Sequence, residues 1–446
     1  MDDIPVAAEG IVEKFDLVVI GSGPGGQRAA VQAAKLGKRV AIVERQTELG
    51  GVCINTGTVP SKTMREAVLD LSGRRQRRLY GEAYAPKQRP DAHALLRRTH
   101  QVMQAERDVV NAQLARNGGT VFTGTARFAS AQWITILNPD QPDITLEAER
   151  TVIATGTTPG LPKGITVDHQ VVLTSDDLLD MTALPKHIMI VGGGIVGLEY
   201  GSMLAALGVK VTLVDQRTQL LEMVDRELVD AFCTYAREMG LTLRLGEQVD
   251  KIVTGSHGHA IVTMKSGKRV VTETVLVSAG RRGATDKLAL ENAGLKVDDR
   301  GRIPVNAQYQ TEVPHIYAVG EVIGFPALAA TSAEQGRLAA CHMFDVQEKA
   351  MPTQLPFGIY AIPEIGWVGA NEAELTAQGV PYETGVARYR EIARGHILGG
   401  TLEYFVRNVF KYPTLAECYK VAALDGMNKM RALDAEGSDE GEQKAA

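Results

Sequence analysis

The chain has 446 residues, more than one hydrophobic core ordinarily supports, so two to four domains are expected. Its 44% apolar and 23% charged content is ordinary for a globular protein, and a net charge of −5 gives no reason to expect a polyanionic partner such as nucleic acid. Four scattered cysteines, Cys53, Cys233, Cys341 and Cys418, show neither metal-ligand spacing nor a disulfide framework, which suits a reducing, cytoplasmic setting.

From the start, Met1 to Phe15 is acidic and lacks the basic start and apolar core of a signal peptide. Asp16 to Ile20 is a β-branched run that ends in Gly21-Ser22-Gly23-Pro24-Gly25-Gly26. An alanine-rich helical stretch, Gln27 to Leu36, follows, then a second apolar strand, Arg39 to Val43, ending at Glu44. Strand, glycine turn, helix, strand and acid make a dinucleotide-binding unit. In it Gly21 forms the turn, Gly23 lets the backbone approach a pyrophosphate and Gly26 lets helix and strand pack. Glu44, eighteen residues after Gly26, stands where a carboxylate accepts from ribose hydroxyls.

Gly50 to Lys62 reads Gly-Gly-Val-Cys-Ile-Asn-Thr-Gly-Thr-Val-Pro-Ser-Lys, with Cys53 and Thr58 the residues of interest. A threonine hydroxyl can neither form a disulfide nor take its two electrons. Arg65 to Gln113 carries helical spacing and is expected as a packed helical pair, and the basic run Arg74, Arg75, Arg77 and Arg78 within it as a solvated loop. Strand-like segments follow at Thr120 to Phe128 and Trp133 to Leu137, leading to Thr151-Val152-Ile153-Ala154-Thr155-Gly156.

Ile188 to Asp215 then repeats Leu17 to Glu44 at a constant offset of 171 positions: Gly192, Gly194, Gly197 and Gly208 match Gly21, Gly23, Gly26 and Gly37, and Asp215 matches Glu44. Two dinucleotide units imply two nucleotide cofactors, one held and one exchanging. The apolar stretch Ile188 to Val214 is interrupted by Glu199 and Lys210 and is not a membrane span. His257 and His259 sit in a glycine-flanked hairpin turn and are not expected to hold a metal. Val275 to Gly280 closes the later unit and Ile316 to Glu321 returns to the earlier one, so the later unit is expected as an insertion within the earlier. Ala327 to Phe344 reads as a helix. Strands are expected at Gly358 to Ala361 and Gly366 to Gly369, and the tail after Leu433 as disordered.

Gly21 to Gly26, Gly50 to Lys62, Ala154 to Gly156, Gly192 to Gly197 and Tyr317 to Glu321 together resemble the FAD-dependent pyridine nucleotide-disulfide oxidoreductase family. The single cysteine, Thr58 and Tyr412-Pro413-Thr414-Leu415-Ala416-Glu417 look most like its transhydrogenase branch. The resemblance implies an α/β fold with two Rossmann-like domains, the second inserted in the first, and a C-terminal α+β dimerisation domain. Its domains would be FAD-binding over 1–160 and 284–350, NAD(P)-binding over 161–283 and dimerisation over 351–433, with 434–446 as tail.

The resemblance further implies that FAD is held by Gly21, Gly23, Gly26, Glu44 and Arg45, by Gly51, Cys53, Thr58 and Lys62, by Ala154, Thr155 and Gly156, and by Gly320, Glu321 and Ala329. Gly192, Gly194, Gly197, Glu199, Asp215, Arg217, Gly280 and Arg281 would bind the exchanging NADPH/NADP or NADH/NAD. Lys62 would lie near flavin N5 and pair with Glu199. Tyr412 stands where disulfide reductases of the family keep an acid-base histidine, and Tyr412 and Glu417 complete the implied catalytic set.

Loss of the second cysteine and of that histidine removes the thiol apparatus, which points to ping-pong hydride transfer between NADPH and NAD through FAD. The alternatives are a dihydrolipoamide dehydrogenase-like reductase, in which Cys53 finds a distant partner such as Cys418, and a nucleotide-binding protein of impaired activity. Asp215 favours a free ribose diol, while Arg217 could offset its charge toward a 2′-phosphate, or be a merely exposed charge. Cys53 reads as a small apolar group lining the flavin pocket rather than a reactive thiol.

Two departures from the family pattern stand out. Glu321 replaces an aspartate and its extra methylene is expected to loosen FAD. Two strands and a helix are expected to be missing between Gly400 and Thr401, with consequences for a homodimer or higher homo-oligomer.

Overall fold

The computed structural model describes residues 12–73, 91–139, 141–255, 258–387 and residue 422. The chain divides into two compact units, one from residues up to 218 and 237–351, the other from 219–236 and 352 onward.

The first unit opens with β1 (Val12–Ile20), whose apolar run is buried on both sides within a mixed sheet. Pro24 stands at the start of the helix Pro24–Lys35, where its fixed φ suits the first turn, and the helix turns Ala29, Ala30 and Ala33 inward. That crossover delivers β2 (Val40–Glu44) parallel to β1.

β2 pairs with β3 (Thr120–Thr123), and β1 with the long strand β6 (Ile144–Ile153). β6 also receives β17 (Ile316–Ala318) in parallel and β5 (Trp133–Leu137) in antiparallel, and β5 pairs with β4 (Thr125–Phe128). Alternation of side chains sends Val18, Ile20, Ala41 and Val43 to one core and Leu17, Val19, Val40 and Ile42 to another. Each of the large ones, fully buried, is worth about 1.5–3 kcal/mol.

The second module repeats the plan. β9 (His187–Val191), the helix Ile195–Ala206 and β10 (Lys210–Asp215) are followed by β11 (Leu241–Leu245). With β15 (Thr274–Val277) and β8 (Val172–Leu173) they form the parallel order β11-β10-β9-β15-β8. An antiparallel meander, β12 (Val249–Thr254), β13 (Ala260–Met264) and β14 (Arg269–Thr272), stands beside it, with His259 in the turn before β13. Two short strands, β7 (Thr157–Pro159) and β16 (Arg281–Gly283), pair where the chain leaves and re-enters the first module.

The segment 120–128, one strand by pattern, is two. Gly124 has φ +152° and a Cβ there would meet Ile136 Cγ2 at 2.5 Å, so the backbone kinks. β3 then pairs with β2 while β4 pairs with β5 at the other end of the sheet. The expected helical pair is seen as Thr58–Leu71 and Ala92–Arg116, with the arginine run between them outside the described residues.

In the second unit, β18 (Pro356–Ile359) and β19 (Ile365–Val368) form a hairpin with Phe357 stacked on Trp367 at 5.1 Å. Asn371 caps the helix Glu372–Ala377 through a capping box and donates to the Glu222 carbonyl at 3.2 Å. The expected gap between Gly400 and Thr401, Cys418, Tyr412, Glu417 and the tail after Leu433 lie outside the described residues. Among the described residues no helix is long and apolar enough to cross a membrane.

Candidate functional site

The first glycine turn assigns each glycine a physical task. Gly21 has φ +102° and a Cβ there would meet the Ala154 carbonyl oxygen at 2.5 Å, and one on Gly26 would overlap the Gly21 carbonyl. At Gly23 an added Cβ meets nothing within 4 Å. The outer glycines therefore serve packing, and the middle one faces open space. Gly23 caps the Pro24–Lys35 helix without a side chain, which leaves first-turn amides available to an anion.

Behind this turn Glu44 is buried at the end of β2, where its Oε2 accepts from Ser22 N at 2.9 Å and Ser22 Oγ at 2.7 Å. Its Oε1 accepts from Gln46 N at 3.1 Å. Gly50 N donates to Ser22 Oγ at 3.0 Å, which ties the cysteine-bearing stretch to the acid.

A cleft of about 760 Å³ opens here, and widely separated parts of the chain converge on it. Gly21, Gly23, Glu44 and Arg45 come from the first motif, and Gly51, Cys53 and Thr58 from the next stretch. Ala154, Thr155 and Gly156 follow β6, while Gly320, Glu321 and Ala329 follow β17. The helix Ala329–Met343 begins at this wall with no side-chain cap from Leu328. Thr56 Oγ1 and Thr155 Oγ1 on the lining are buried without a hydrogen-bond partner.

The second turn is built in the same way. Gly192 has φ +110° and a Cβ there would overlap the Ser278 carbonyl; on Gly197 it would overlap the Gly192 carbonyl, and at Gly194 it meets nothing within 4 Å. Asp215 Oδ2 accepts from Gly193 N at 2.6 Å and Arg217 Nη2 at 2.7 Å, and Oδ1 from Arg217 N at 2.8 Å and Arg217 Nε at 2.9 Å. Burial would raise this carboxyl, but the Arg217 side chain and the two backbone amides outweigh it and hold Asp215 below the usual carboxylate range.

Lys62, on the Thr58–Leu71 helix, donates to both oxygens of Glu199, on the helix after the second glycine turn, at 2.9 and 3.1 Å. Cys53 is partly buried beside Thr58, and burial pushes its thiol up despite a hydrogen bond from Thr58. Glu321 Oε2 accepts from Thr157 Oγ1 at 2.5 Å. Arg281 donates to the same hydroxyl at 2.7 Å and to the Thr157 carbonyl at 2.9 Å, and stands 3.7 Å from Glu321. Gly280, at φ +100°, accepts from Gly160 N at 2.9 Å.

Three residues of this arrangement escape the sequence reading. Ser22 relays between Gly50 and Glu44, Thr157 bridges Glu321 and Arg281, and buried Gln335 accepts from Gly320 N at 2.8 Å. Ser22 was detectable, since a hydroxyl inside a glycine turn can reach the acid that closes the unit. Thr157 and Gln335 carry no local signal, because their partners lie far along the chain or across a turn.

The chain thus carries two glycine turns of the same build, each closed by a buried acid at the end of the following strand. The chain belongs to the pyridine nucleotide-disulphide oxidoreductase family, whose model matches residues 15–336, and the dimerisation domain of that family matches residues 355–415. A protein of Mycobacterium bovis (strain BCG / Pasteur 1173P2), described as a soluble pyridine nucleotide transhydrogenase, is 49% identical over 467 residues, covering 95% of this chain and 99% of its own. One of Serratia proteamaculans with the same description is 37% identical and covers 94% and 99%. Since the mycobacterial alignment is longer than this chain of 446 residues, that relative carries positions with no counterpart here. In fold the chain is similar to the HOCl-induced flavoprotein disulfide reductase RclA from Escherichia coli, at TM-score 0.82 and 24% identity over 92% of this chain and 99% of that one. LpdA from Mycobacterium tuberculosis gives TM-score 0.82 at 22% identity, over 92% and 99%.

Proposed function

We propose that the protein is a pyridine nucleotide transhydrogenase that holds FAD in the first cradle and exchanges NADPH and NAD in the second. The observation that carries this reading is Cys53 beside Thr58: the chain keeps the frame of a disulfide reductase with one thiol and a hydroxyl where a redox pair would need two thiols. The names of the close relatives support it.

The residues present fit FAD. The cleft has a glycine open to a pyrophosphate at Gly23, a buried carboxylate for a ribose at Glu44, and unpartnered hydroxyls at Thr56 and Thr155. When bound, FAD supplies a two-electron carrier between the two nicotinamide nucleotides.

The chain's own residues bind and orient. Helix amides after Gly23 and Gly194 receive diphosphates, and Glu44 and Asp215 receive the riboses. The Lys62 cation, steadied by Glu199, favours negative charge near the wall formed by the Thr58–Leu71 helix. The uncapped N-terminus of Ala329–Met343 adds to that field.

In domain terms, residues 1–160 and 284–350 bind FAD, 161–283 bind NAD(P), and 351–433 form a homodimer interface that lacks a segment present in the relatives. The mycobacterial relative's positions without counterpart in this chain agree with a missing segment, without placing it. The test is to release the flavin from the purified protein and identify it chromatographically, then assay NADPH-dependent reduction of a NAD analogue. FAD together with turnover in the absence of any disulfide is expected. FMN, or turnover only with a disulfide substrate, would refute the proposal.

A further inference from the structure

The two nucleotide units superimpose in sequence at an offset of 171, and their acids are cradled by equivalent backbone donors. Ser22 N and Gln46 N donate to Glu44, while Gly193 N and Arg217 N donate to Asp215. The units differ at two side chains: Ser22 Oγ also donates to Glu44 where the second unit has Gly193, and the residue two past the acid is not the same. In the first it is Gln46; in the second it is Arg217, whose guanidinium forks onto Asp215 with one hydrogen bond to each oxygen, at 2.9 and 2.7 Å.

Asp215 thus accepts four donors on two oxygens, two from fixed amides and two from a side chain. A carboxylate so filled has no ready position for a ribose diol. The two positions a diol needs are the two the guanidinium occupies.

We propose that Arg217 is a displaceable clamp on Asp215 that lets one site take both nicotinamide dinucleotides. A ribose diol replaces the fork on Asp215, and a 2′-phosphate draws the same guanidinium onto itself. The inference rests on the assignment of the second cradle to the exchanging nucleotide.

The surroundings suit such a movement. Backbone on both sides of the pair is pinned, since Glu247 N donates to the Asp215 carbonyl at 3.1 Å and Gly246 N to the Arg217 carbonyl at 2.9 Å. The Arg217 side chain is 37% exposed against 5% for Asp215, so the guanidinium can leave without opening the core. Lying between the two anions, the guanidinium also offsets the repulsion that Asp215 alone would exert on a 2′-phosphate. Once released, the planar fork matches phosphate as well as it matches carboxylate. In the first cradle Gln46 offers no such charge, consistent with a site that holds one cofactor.

The test uses redox-silent probes, ADP-ribose and its 2′-phosphate, titrated calorimetrically into the flavin-loaded protein. The wild type is expected to bind both. Arg217→Gln, which installs the residue of the first unit, is expected to weaken the 2′-phosphate form about 10- to 100-fold, the loss of a charge-assisted contact. The same change should tighten or preserve ADP-ribose binding, because no clamp then has to be displaced. Arg217→Lys keeps the charge without the fork and is expected to fall between wild type and Arg217→Gln for the phosphate form.

Equal weakening of both probes by Arg217→Gln would make Arg217 a structural brace and overturn the proposal, as would no change for either. Because these probes carry no hydride, failure of transhydrogenation with the split intact would count against the proposed reaction alone.

Discussion

Lys62 Nζ and the carboxylate of Glu199 meet at 2.9 and 3.1 Å across 137 residues of sequence, one on the helix after the cysteine stretch and the other on the helix after the second glycine turn. Glu199 is 5% exposed and Lys62 30%. The pair joins the helix after the cysteine stretch to the module built on the second glycine turn. Lys62→Ala takes the cation away from a buried carboxylate and is expected to cost about 3 kcal/mol, the low end for such pairs because Lys62 keeps some solvent. Glu199→Gln keeps a hydrogen-bonding group and is expected to cost less. Denaturant unfolding of both variants measures this, and equal losses would show that charge is not what matters.

The glycines separate folding from binding. Gly26→Ala drives a methyl group into the Gly21 carbonyl and is expected to destabilise the fold by about 1–3 kcal/mol. Gly23→Ala meets open space, so its stability is expected to stay within about 0.5 kcal/mol of wild type. It should nevertheless lose bound flavin, since the added methyl occupies the approach to the diphosphate. Flavin-to-protein absorbance ratios together with melting curves distinguish the two effects.

Most of this scaffold is legible in the sequence because it depends on short-range rules. Gly21, Gly23 and Gly26, with Glu44 eighteen residues on, state a strand-turn-helix-strand unit, and its recurrence at Gly192 to Asp215 states the second. The kink at Gly124 escapes because a β-branched segment reads as continuous even where a glycine bends it. Of the β12–β14 meander only the hairpin turn that holds His259 is legible, since its strands are short and half exposed. The fork of Arg217 on Asp215 and the Thr157 bridge lie beyond reach, because rotamers and contacts across more than a hundred residues leave no periodic trace.

Glu321 replaces an expected aspartate, and the structure gives its longer arm a destination in the Thr157 hydroxyl, beside Arg281. Glu321→Asp is expected to lose that bond and to cost about 1 kcal/mol in the flavin-free protein. Chemical denaturation after flavin removal measures it. An unchanged midpoint would mean the Thr157 contact contributes nothing.

Cys53 has a thiol pushed upward by burial, so it remains protonated at neutral pH. Folding then favours the protonated form: its contribution is complete below the ordinary thiol range and is lost as pH rises through the elevated value. Alkylation by iodoacetamide is expected to be slow at pH 7–8 and to accelerate only in more alkaline solution. Cys53→Ser should keep NADPH-to-NAD turnover within about threefold of wild type, because the thiol takes no electrons.

Asp215 shows the opposite sign. Its carboxyl is held below 3.8, so the stability from its pairing is present above that ordinary value and is lost as pH falls through the lower folded one. The stability difference between wild type and Asp215→Asn is expected to be flat from neutral pH to about 5 and to shrink only in stronger acid. Erosion already between pH 7 and 5 would contradict the bond pattern around Arg217.

Hydride transfer between nicotinamide nucleotides without a redox disulfide can be followed by anaerobic stopped-flow absorbance on the flavin-loaded protein. NADPH is added first and NAD second. The expected result is loss of the flavin absorbance with NADPH and its return with NAD, one NADH appearing for each NADPH consumed, in Cys53→Ser as in wild type. Absorbance that is lost but returns only when a disulfide is supplied would contradict such transfer.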